Sequence, residues 1–264
     1  MGEIKNSYEW SYKGVLRHVL SGEVVSNRNQ DTFVQFACQI TADLSEGFPM
    51  LTGRKMFLKN TVHELKWMLN GDTNTKYLQD NGVSIWNQWA DNDGNLGPIY
   101  GYQMRNFSGI DQITWLLEEM KTPIRSRRGL VSMWNPADLK DMRLPPCHYA
   151  FNLVDINGTL NLSVSMRSLD LFIGLPYDMS FYALLLELFC HELGKQPGKV
   201  TINAADCHIY TDHKDACREF LNRPHTNLPD IHLGINPTVL GFNPDDIELS
   251  NYTPGAHIKA SVHA

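Results

Sequence analysis

A two-residue turn signal near the middle of the chain restricts the possible folds more than any other local pattern. Asn157-Gly158 separates two β-rich runs, residues 149–156 and residues 159–166. Asn-Gly is the preferred pair for a type I′ turn, because both central residues of that turn need a positive φ. The pattern therefore predicts an antiparallel hairpin.

Apolar residues at helical spacing predict helices on both sides of the hairpin. The predicted helices are residues 8–22, 61–69, 110–120 and 181–193. Asn60 or Thr61 is a candidate N-cap for the second of these helices, and Asp178 or Ser180 is a candidate for the last. The final helix is so apolar that we expect it to lie in the core.

The rest of the chain predicts a mixed architecture. Residues 84–107, rich in Trp, Gly and Asn, predict an ordered loop, and residues 200–204 predict a further strand. Helices and strands do not alternate regularly, which is typical of the α+β class. Neither a repeat nor a low-complexity linker divides the sequence, so we expect one domain over residues 1–264.

Charge and cysteine content limit the possible partners and compartments. The 23 Lys and Arg against 29 Asp and Glu give a net charge of −6, which argues against nucleic acid or an anionic membrane as a partner. A few clustered arginines can still hold a small anion. With no visible secretory signal and five irregularly spaced cysteines, we expect free thiols and a cytoplasmic location, the host cytoplasm if the source is viral.

Two His-Glu pairs and one Cys/His group could suggest a metal site, but their spacing does not fit one. Neither His63-Glu64 nor His191-Glu192 completes a His-Glu-x-x-His motif. The residues Cys207, His208, His213 and Cys217 match no structural zinc spacing. We therefore expect no metal.

Cys147 is a candidate nucleophile because it follows two prolines at the entry of a predicted strand. Two interpretations stay open on this segment alone: a buried inert thiol, or a thiol held toward a cleft. Nearby arginines, Arg127-Arg128 and Arg167, could lower the pKa of such a thiol and could bind phosphate. Trp86 and Trp89, three residues apart, are either core-packing residues or an aromatic wall for a flat ligand.

Several segments occur in the order in which they occur in a known family. They include Val62-His63-Glu64-Leu65, Gly71-Asp72-Thr73-Asn74, Ile85-Trp86, Leu96-Gly97-Pro98, Ser126-Arg127-Arg128, Pro146-Cys147-His148, Arg167-Ser168 and Gly174-Leu175-Pro176. On these motifs the chain resembles the thymidylate synthase family from about Arg28 to the C-terminus. The resemblance implies an α+β layered fold, with a mixed sheet packed with helices and a sheet-to-sheet homodimer. It also implies transfer of a one-carbon unit from 5,10-methylenetetrahydrofolate to carbon 5 of a pyrimidine nucleotide.

The resemblance also implies site residues. Cys147 would attack carbon 6 of the ring, and Glu64 would move protons through ordered water. The nucleotide contacts would be Arg28, Arg167, Ser168, Asp170, His208 and Tyr210, with Arg127 and Arg128 donated by the partner subunit. The folate contacts would be Trp86, Trp89, Asp170, Gly174, Tyr177 and the tail residue Ala264.

One departure from the family pattern concerns the base. Thymidylate synthases have Gly-Leu-Pro-x-Asn, whereas this chain has Gly-Leu-Pro-Tyr-Asp ending at Asp178. A carboxyl group can accept a hydrogen bond from the amino group of cytosine and share a proton with the ring nitrogen. With uracil, an ionised carboxylate would face oxygen 4, and both groups are hydrogen-bond acceptors. Asp178 resembles the aspartate of the deoxycytidylate hydroxymethylase branch, although a plain helix N-cap is the alternative.

The expected product is 5-hydroxymethyl-dCMP, followed in rank by methylation of dCMP and then by thymidylate synthesis from dUMP. Water access to an exocyclic methylene decides between the first two, and Asn87, where the family has aspartate, suggests a changed water network. A nucleotide- or RNA-binding regulator without turnover is the non-enzymatic alternative. Two further departures are the loop of residues 28–32 around Arg28 and the tail Ser261-Val262-His263-Ala264, which stands where the family has Pro-Val-Ala-Ile.

Overall fold

The computed structural model describes residues 4–27, 30–122 and 124–263. The strands are β1 (Glu23–Val25), β2 (Thr32–Asp43), β3 (Leu130–Ser132), β4 (His148–Ile156), β5 (Thr159–Asp170), β6 (Gln196–Tyr210), β7 (Asp230–His232) and β8 (Glu248–Ser250). The α-helices are α1 (Ser7–Leu20), α2 (Leu58–Leu69), α3 (Lys76–Asp80), α4 (Tyr100–Asn106), α5 (Gln112–Met120), α6 (Gly174–Leu193) and α7 (Lys214–Asn222). Short 3₁₀ turns lie at Leu44–Glu46, Leu139–Asp141, Thr211–His213 and Pro244–Asp246.

Six strands form one mixed sheet in the order β1-β2-β6-β5-β4-β3. All neighbouring pairs are antiparallel except β5 and β6, which run parallel. A parallel pair needs a crossover, and the 20-residue helix α6 provides it. β7 and β8 form a separate antiparallel pair. The mixed sheet with packed helices confirms the predicted α+β class.

The predicted hairpin is confirmed as β4 and β5. Asn157 and Gly158 both have positive φ, 53° and 87°, as a type I′ turn requires. Residues along β5 alternate between buried and half-buried, so one face of the sheet packs against α6 and the other is more open. On the open face, polar side chains bond across strands: Thr41 lies 3.0 Å from Thr201, and Gln39 donates to Asn203 at 2.7 Å.

The core lies between the sheet and the helices, and α6 is its central helix. Most of its side chains are fully buried, including Leu184, Leu185, Leu188 and Phe189. A helix that is apolar on nearly every side must be covered on nearly every side. Within the described part of the chain, no helix combines the length and the hydropathy that crossing a membrane requires.

Two predicted helix starts and one predicted loop were wrong. α6 begins at Gly174, seven residues earlier than predicted, because a proline in the first turn does not interrupt a helix. α2 begins at Leu58, so Asn60 and Thr61 lie inside it and neither is its N-cap. The segment predicted as loop contains the helix α4.

Candidate active site

Cys147 lies immediately before β4, and both its backbone N–H and its backbone carbonyl are hydrogen-bonded. Its backbone N–H donates to the Tyr100 hydroxyl at 2.7 Å, and its carbonyl accepts from the N–H of Arg167 at 2.9 Å. Pro145 and Pro146 restrict the backbone before it. The thiol is half-buried, whereas the other four cysteines are buried. Of the two sequence interpretations, this partial exposure favours the one in which the thiol reaches a cleft.

The guanidinium of Arg167 lies against the cysteine segment. Its Nε and Nη2 donate to the carbonyls of Pro146 (3.0 Å) and Pro145 (2.9 Å), and Nη2 lies 3.6 Å from the Cys147 sulfur. In the described part of the chain, no carboxylate pairs with this cation. The carbonyl bonds fix the guanidinium beside the sulfur and leave its positive charge available to an anionic ligand.

The expected lowering of the Cys147 pKa was wrong in its net direction. Burial raises the pKa of the thiol, the charge of Arg167 opposes that effect, and the neighbouring Asp178 raises the pKa further. His148 does not assist, because burial lowers its pKa to about 3 and its Nδ1 lies 2.6 Å from the Tyr182 hydroxyl. The cation that favours the thiolate is therefore Arg167.

Glu64, on α2, is oriented by an indole. The Nε1–H of Trp86 donates to Oε1 of Glu64 at 2.8 Å. Burial raises the pKa of Glu64 to about 7, although the Trp86 hydrogen bond acts in the opposite direction. A carboxyl group with a pKa near neutrality can both accept and donate a proton at physiological pH.

The packing of Trp86 fits the core interpretation of the tryptophan pair, and the aromatic wall stays a prediction. Trp86 is 6% exposed and packs with ring-centroid distances of 5.4 to 5.6 Å against Trp67, Trp89 and Tyr100. It is thus a core residue whose polar edge reaches Glu64. Trp89 is half-buried and keeps part of its ring surface open.

Asp178 lies inside α6, so the helix N-cap interpretation of this residue was wrong. Ser180 is not a cap either, because it also lies inside α6, and its hydroxyl oxygen lies 2.9 Å from the carbonyl oxygens of both Pro49 and Pro176. Burial raises the pKa of Asp178 well above its ordinary value, and the carboxyls of Glu64 and Asp170 raise it further.

Asp170 orders the turn that leads into α6. Its Oδ1 accepts from the backbone N–H groups of Phe172 (2.9 Å) and Ile173 (3.1 Å). Gly174 lies beside both acids: a Cβ there would stand 3.5 Å from Asp178 Oδ2 and 3.6 Å from the Asp170 Cβ. Tyr177 is half-buried on the next turn of the helix.

A cavity of about 350 Å³ lies where β5 and β6 run side by side. Parallel register places Ser168 opposite Asp206, and Asp170 opposite His208. The cavity is lined by Asn27, Gln30, Thr32, Ser168, Asp206, His208 and Tyr210. The sequence motifs did not indicate Asn27, Gln30, Thr32 or Asp206, and the structure puts Asp206 on the same strand face as His208 and Tyr210. Nδ1 of His208 lies 2.7 Å from Asp206 Oδ1.

The remaining predicted residues are not joined to this cleft within one chain. Arg128 is exposed and its Nη2 donates to Glu119 at 2.9 Å, and Arg127 is exposed nearby. Across the described ranges, neither arginine makes a hydrogen bond or ion pair with a cleft residue. Arg28 and Ala264 lie outside the described residues.

The geometry combines a half-buried thiol facing a guanidinium, two carboxyl groups with raised pKa values, and a polar cavity between two strands. A comparison with protein families matches residues 10–264 to a model described as thymidylate synthase.

Proposed function

The chain belongs to the thymidylate synthase family, and we propose that it hydroxymethylates carbon 5 of dCMP through a covalent adduct on Cys147. The family carries out folate-dependent one-carbon transfer to carbon 5 of pyrimidine nucleoside monophosphates, and its members are typically dimeric. The choice of cytosine, the hydroxymethyl product and the roles of individual residues are our proposal.

The observation that carries the base preference is the environment of Asp178. In the part of the chain that the structure describes, its carboxyl has no hydrogen-bond partner, and two further acids, Glu64 and Asp170, raise its pKa. A raised pKa favours the protonated form of this carboxyl. It can donate its proton to ring nitrogen 3 of cytosine and accept a hydrogen bond from the 4-amino group.

Addition of the cysteine to the ring increases this preference. When the Cys147 sulfur bonds to carbon 6, the electron pair of the 5,6 double bond moves toward carbon 5 and nitrogen 3 of cytosine becomes more basic. The proton of Asp178 then passes to nitrogen 3, which leaves a carboxylate facing two N–H donors. Uracil already carries a proton on nitrogen 3 and cannot accept one there, so this proton transfer has no counterpart on uracil.

Cys147 and Arg167 act together in the addition step. The guanidinium lies 3.6 Å from the sulfur and favours the thiolate that attacks carbon 6. Because Arg167 has no acidic partner in the described residues, we assign its charge to the nucleotide phosphate as well, together with Ser168. We place the sugar at His208 and Tyr210, on the wall of the same cavity.

Glu64 is the proton carrier of the proposal. Carbon 5 must lose its proton after it has accepted the one-carbon unit, and a carboxyl group with a pKa of about 7 can take that proton directly or through water. Trp86 holds the carboxyl in one orientation. The exposed Asn87 accepts a hydrogen bond from Gln79 at 3.1 Å, so its side chain is engaged away from Glu64.

The residues around Asp170 fit a folate. Both backbone hydrogen bonds to Asp170 use Oδ1, so in the described residues Oδ2 is free to accept from an N–H donor. Half-buried Trp89 and Tyr177 offer ring surface to a flat heterocycle. We assign Trp86, Trp89, Asp170, Gly174 and Tyr177 to this binding. The folate supplies the carbon of the new group, and water supplies its hydroxyl.

A homodimer completes the proposed site. The open face of the sheet carries Gln39, Thr41, Thr201 and Asn203, which is consistent with a second sheet packing on it. Arg127 and Arg128 are exposed and make no bond to their own cleft in the described ranges, so we assign them to the phosphate of the partner subunit.

The proposal is tested with purified protein, 5,10-methylenetetrahydrofolate and either dCMP or dUMP, with products resolved by mass. A dCMP product heavier by CH₂O is expected. A dCMP product heavier by CH₂ means reductive methylation, and turnover of dUMP alone overturns the assignment of the base. If neither nucleotide reacts while both bind, the chain is a nucleotide-binding regulator and not an enzyme. The variant Cys147→Ser is the matched control and should form no product.

A further inference from the structure

The C-terminal segment, residues 261–263, is attached to the 3₁₀ turn that follows β6. Oδ2 of Asp212 accepts from the Ser261 hydroxyl and from Nε2 of His263, both at 2.9 Å. Nε2 of the buried His213 lies 2.8 Å from the Ser261 carbonyl oxygen. Two adjacent residues of the turn thus hold three groups of the segment.

The segment reaches the wall of the cavity between β5 and β6. The His263 ring packs on Tyr210 with centroids 4.3 Å apart, and Tyr210 lines the cavity together with Ser168 and His208. A ring that covers one side of Tyr210 limits the rotation of that side chain. The position of the segment and the position of the Tyr210 hydroxyl are therefore linked.

Asp212 carries the charge that holds this arrangement. Partial burial opposes ionisation, but the hydrogen bonds from Ser261 and His263 and the charges of the two imidazoles lower the pKa of Asp212 below its ordinary value. An ionised acceptor makes hydrogen bonds that are about twice as strong as those of a neutral acceptor.

A metal ion is the rival explanation of this group. Ligand atoms of Asp212, His213 and His263 lie within 4.8 Å of one another. A carbonyl oxygen only accepts, so Nε2 of His213 carries the proton in its bond to Ser261 and is not free as a ligand. A metal bound at Nε2 would need the tautomer with the proton on Nδ1, and Nδ1 has no acceptor for that proton in the described residues. Hydrogen bonds alone account for the geometry.

We propose that Asp212 is a positioning residue, which ties the C-terminal segment to the cavity wall and so holds Tyr210 in place for the nucleotide sugar. The contact between segment and turn can be tested without any ligand. Its effect on the nucleotide rests on the proposed function.

The first test measures hydrogen exchange of the segment amides in the full chain without ligands. Asp212→Ala and His263→Ala should each speed exchange by about fivefold or more, because each removes a hydrogen bond to a charged group. The double variant should exchange no faster than the faster single variant. Asp215→Asn, which removes an exposed acid on the neighbouring helix, is the control and should change nothing. His263→Ala alters only the chain end, so a folding defect in Asp212→Ala leaves the test intact.

The second test measures dCMP binding and turnover. Asp212→Ala should weaken dCMP binding by about three- to tenfold while kcat changes by less than about twofold, and Asp212→Asn, which keeps an oxygen acceptor, should recover part of the loss. The proposal is overturned by segment exchange that is unchanged in both single variants, or by faster exchange with unaltered dCMP affinity. It is also overturned if Zn²⁺ or a chelator alters exchange in the parent protein. Absence of turnover in the parent protein refutes the proposed function and leaves the exchange result readable.

Discussion

The indole nitrogen of Trp86 lies 2.8 Å from Oε1 of Glu64, and this bond opposes the burial that raises the pKa of the acid to about 7. The contact joins the aromatic cluster of the core to the proton carrier of the proposed reaction. A change in the packing of Trp86 therefore changes the protonation of Glu64 as well as its orientation.

The first prediction is that Trp86→Phe shifts the pH profile of turnover to the alkaline side. Loss of the indole donor removes a bond that favours the ionised acid, so the pKa of Glu64 rises above about 7. A step that needs ionised Glu64 then requires a higher pH, by up to about one unit for a bond of ~1 kcal/mol. The rising limb of kcat against pH is the measurement. Trp115→Phe, on the exposed side of α5, is the control, and an unshifted limb in Trp86→Phe contradicts Glu64 as the base.

The second prediction is that Asp178→Asn exchanges the preferred base. An amide donates to uracil oxygen 4 and accepts from nitrogen 3, whereas it cannot transfer a proton to cytosine. The ratio of kcat/KM for dCMP over dUMP should fall by roughly tenfold to a hundredfold, as a buried mismatch of about 1–3 kcal/mol implies. Asp178→Ala is the comparison variant and should lose activity on dCMP without gaining it on dUMP. Retention of the cytosine preference in Asp178→Asn means that another group reads the base.

The sequence predicted the central part of the fold because its local signals agree with its packing. Asn157-Gly158 favours a type I′ turn, and the apolar side chains of residues 181–193 favour burial in the core. The start of α6 could not be predicted in the same way. A proline two residues after Gly174 indicates either a loop or a first helical turn, and tertiary contacts decide between them.

Only part of the candidate site could likewise be predicted from the sequence. Motifs placed Cys147 and Arg167 together, and the structure brings them to 3.6 Å. The direction of the thiol pKa was wrong because it depends on burial, which neighbouring residues in sequence do not determine. Asp206 was missed because a single acid in a strand has no distinctive spacing until register places it opposite Ser168.

The third prediction is that Arg167→Ala slows alkylation of Cys147. The charge of Arg167 lowers the pKa of this half-buried thiol, so its removal reduces the thiolate fraction. Carbamidomethylation at a fixed, near-neutral pH should slow by about three- to tenfold, because one pKa unit changes that fraction tenfold. Peptide mass spectrometry measures the modification site and rate. Arg218→Ala, on the surface of α7, should react at the parent rate. If Arg167→Ala and the parent protein are alkylated at equal rates, the charge of Arg167 does not activate the Cys147 thiol.

The fourth prediction concerns Glu187, an acid on the apolar helix α6. Burial raises its pKa from 4.5 to about 7. The folded state therefore binds more protons than the unfolded state between these values, and the contribution of Glu187 to stability falls as pH rises through that range. Glu187→Gln should raise the free energy of unfolding by about 1–2 kcal/mol above pH ~7.5 and by little near pH ~4.5. Denaturant titrations at both pH values measure the difference, and Glu219→Gln on α7, whose side chain is exposed, is the control. An equal gain at both pH values means that charge burial is not the cause, because only the ionised form of Glu187 is destabilised by loss of water.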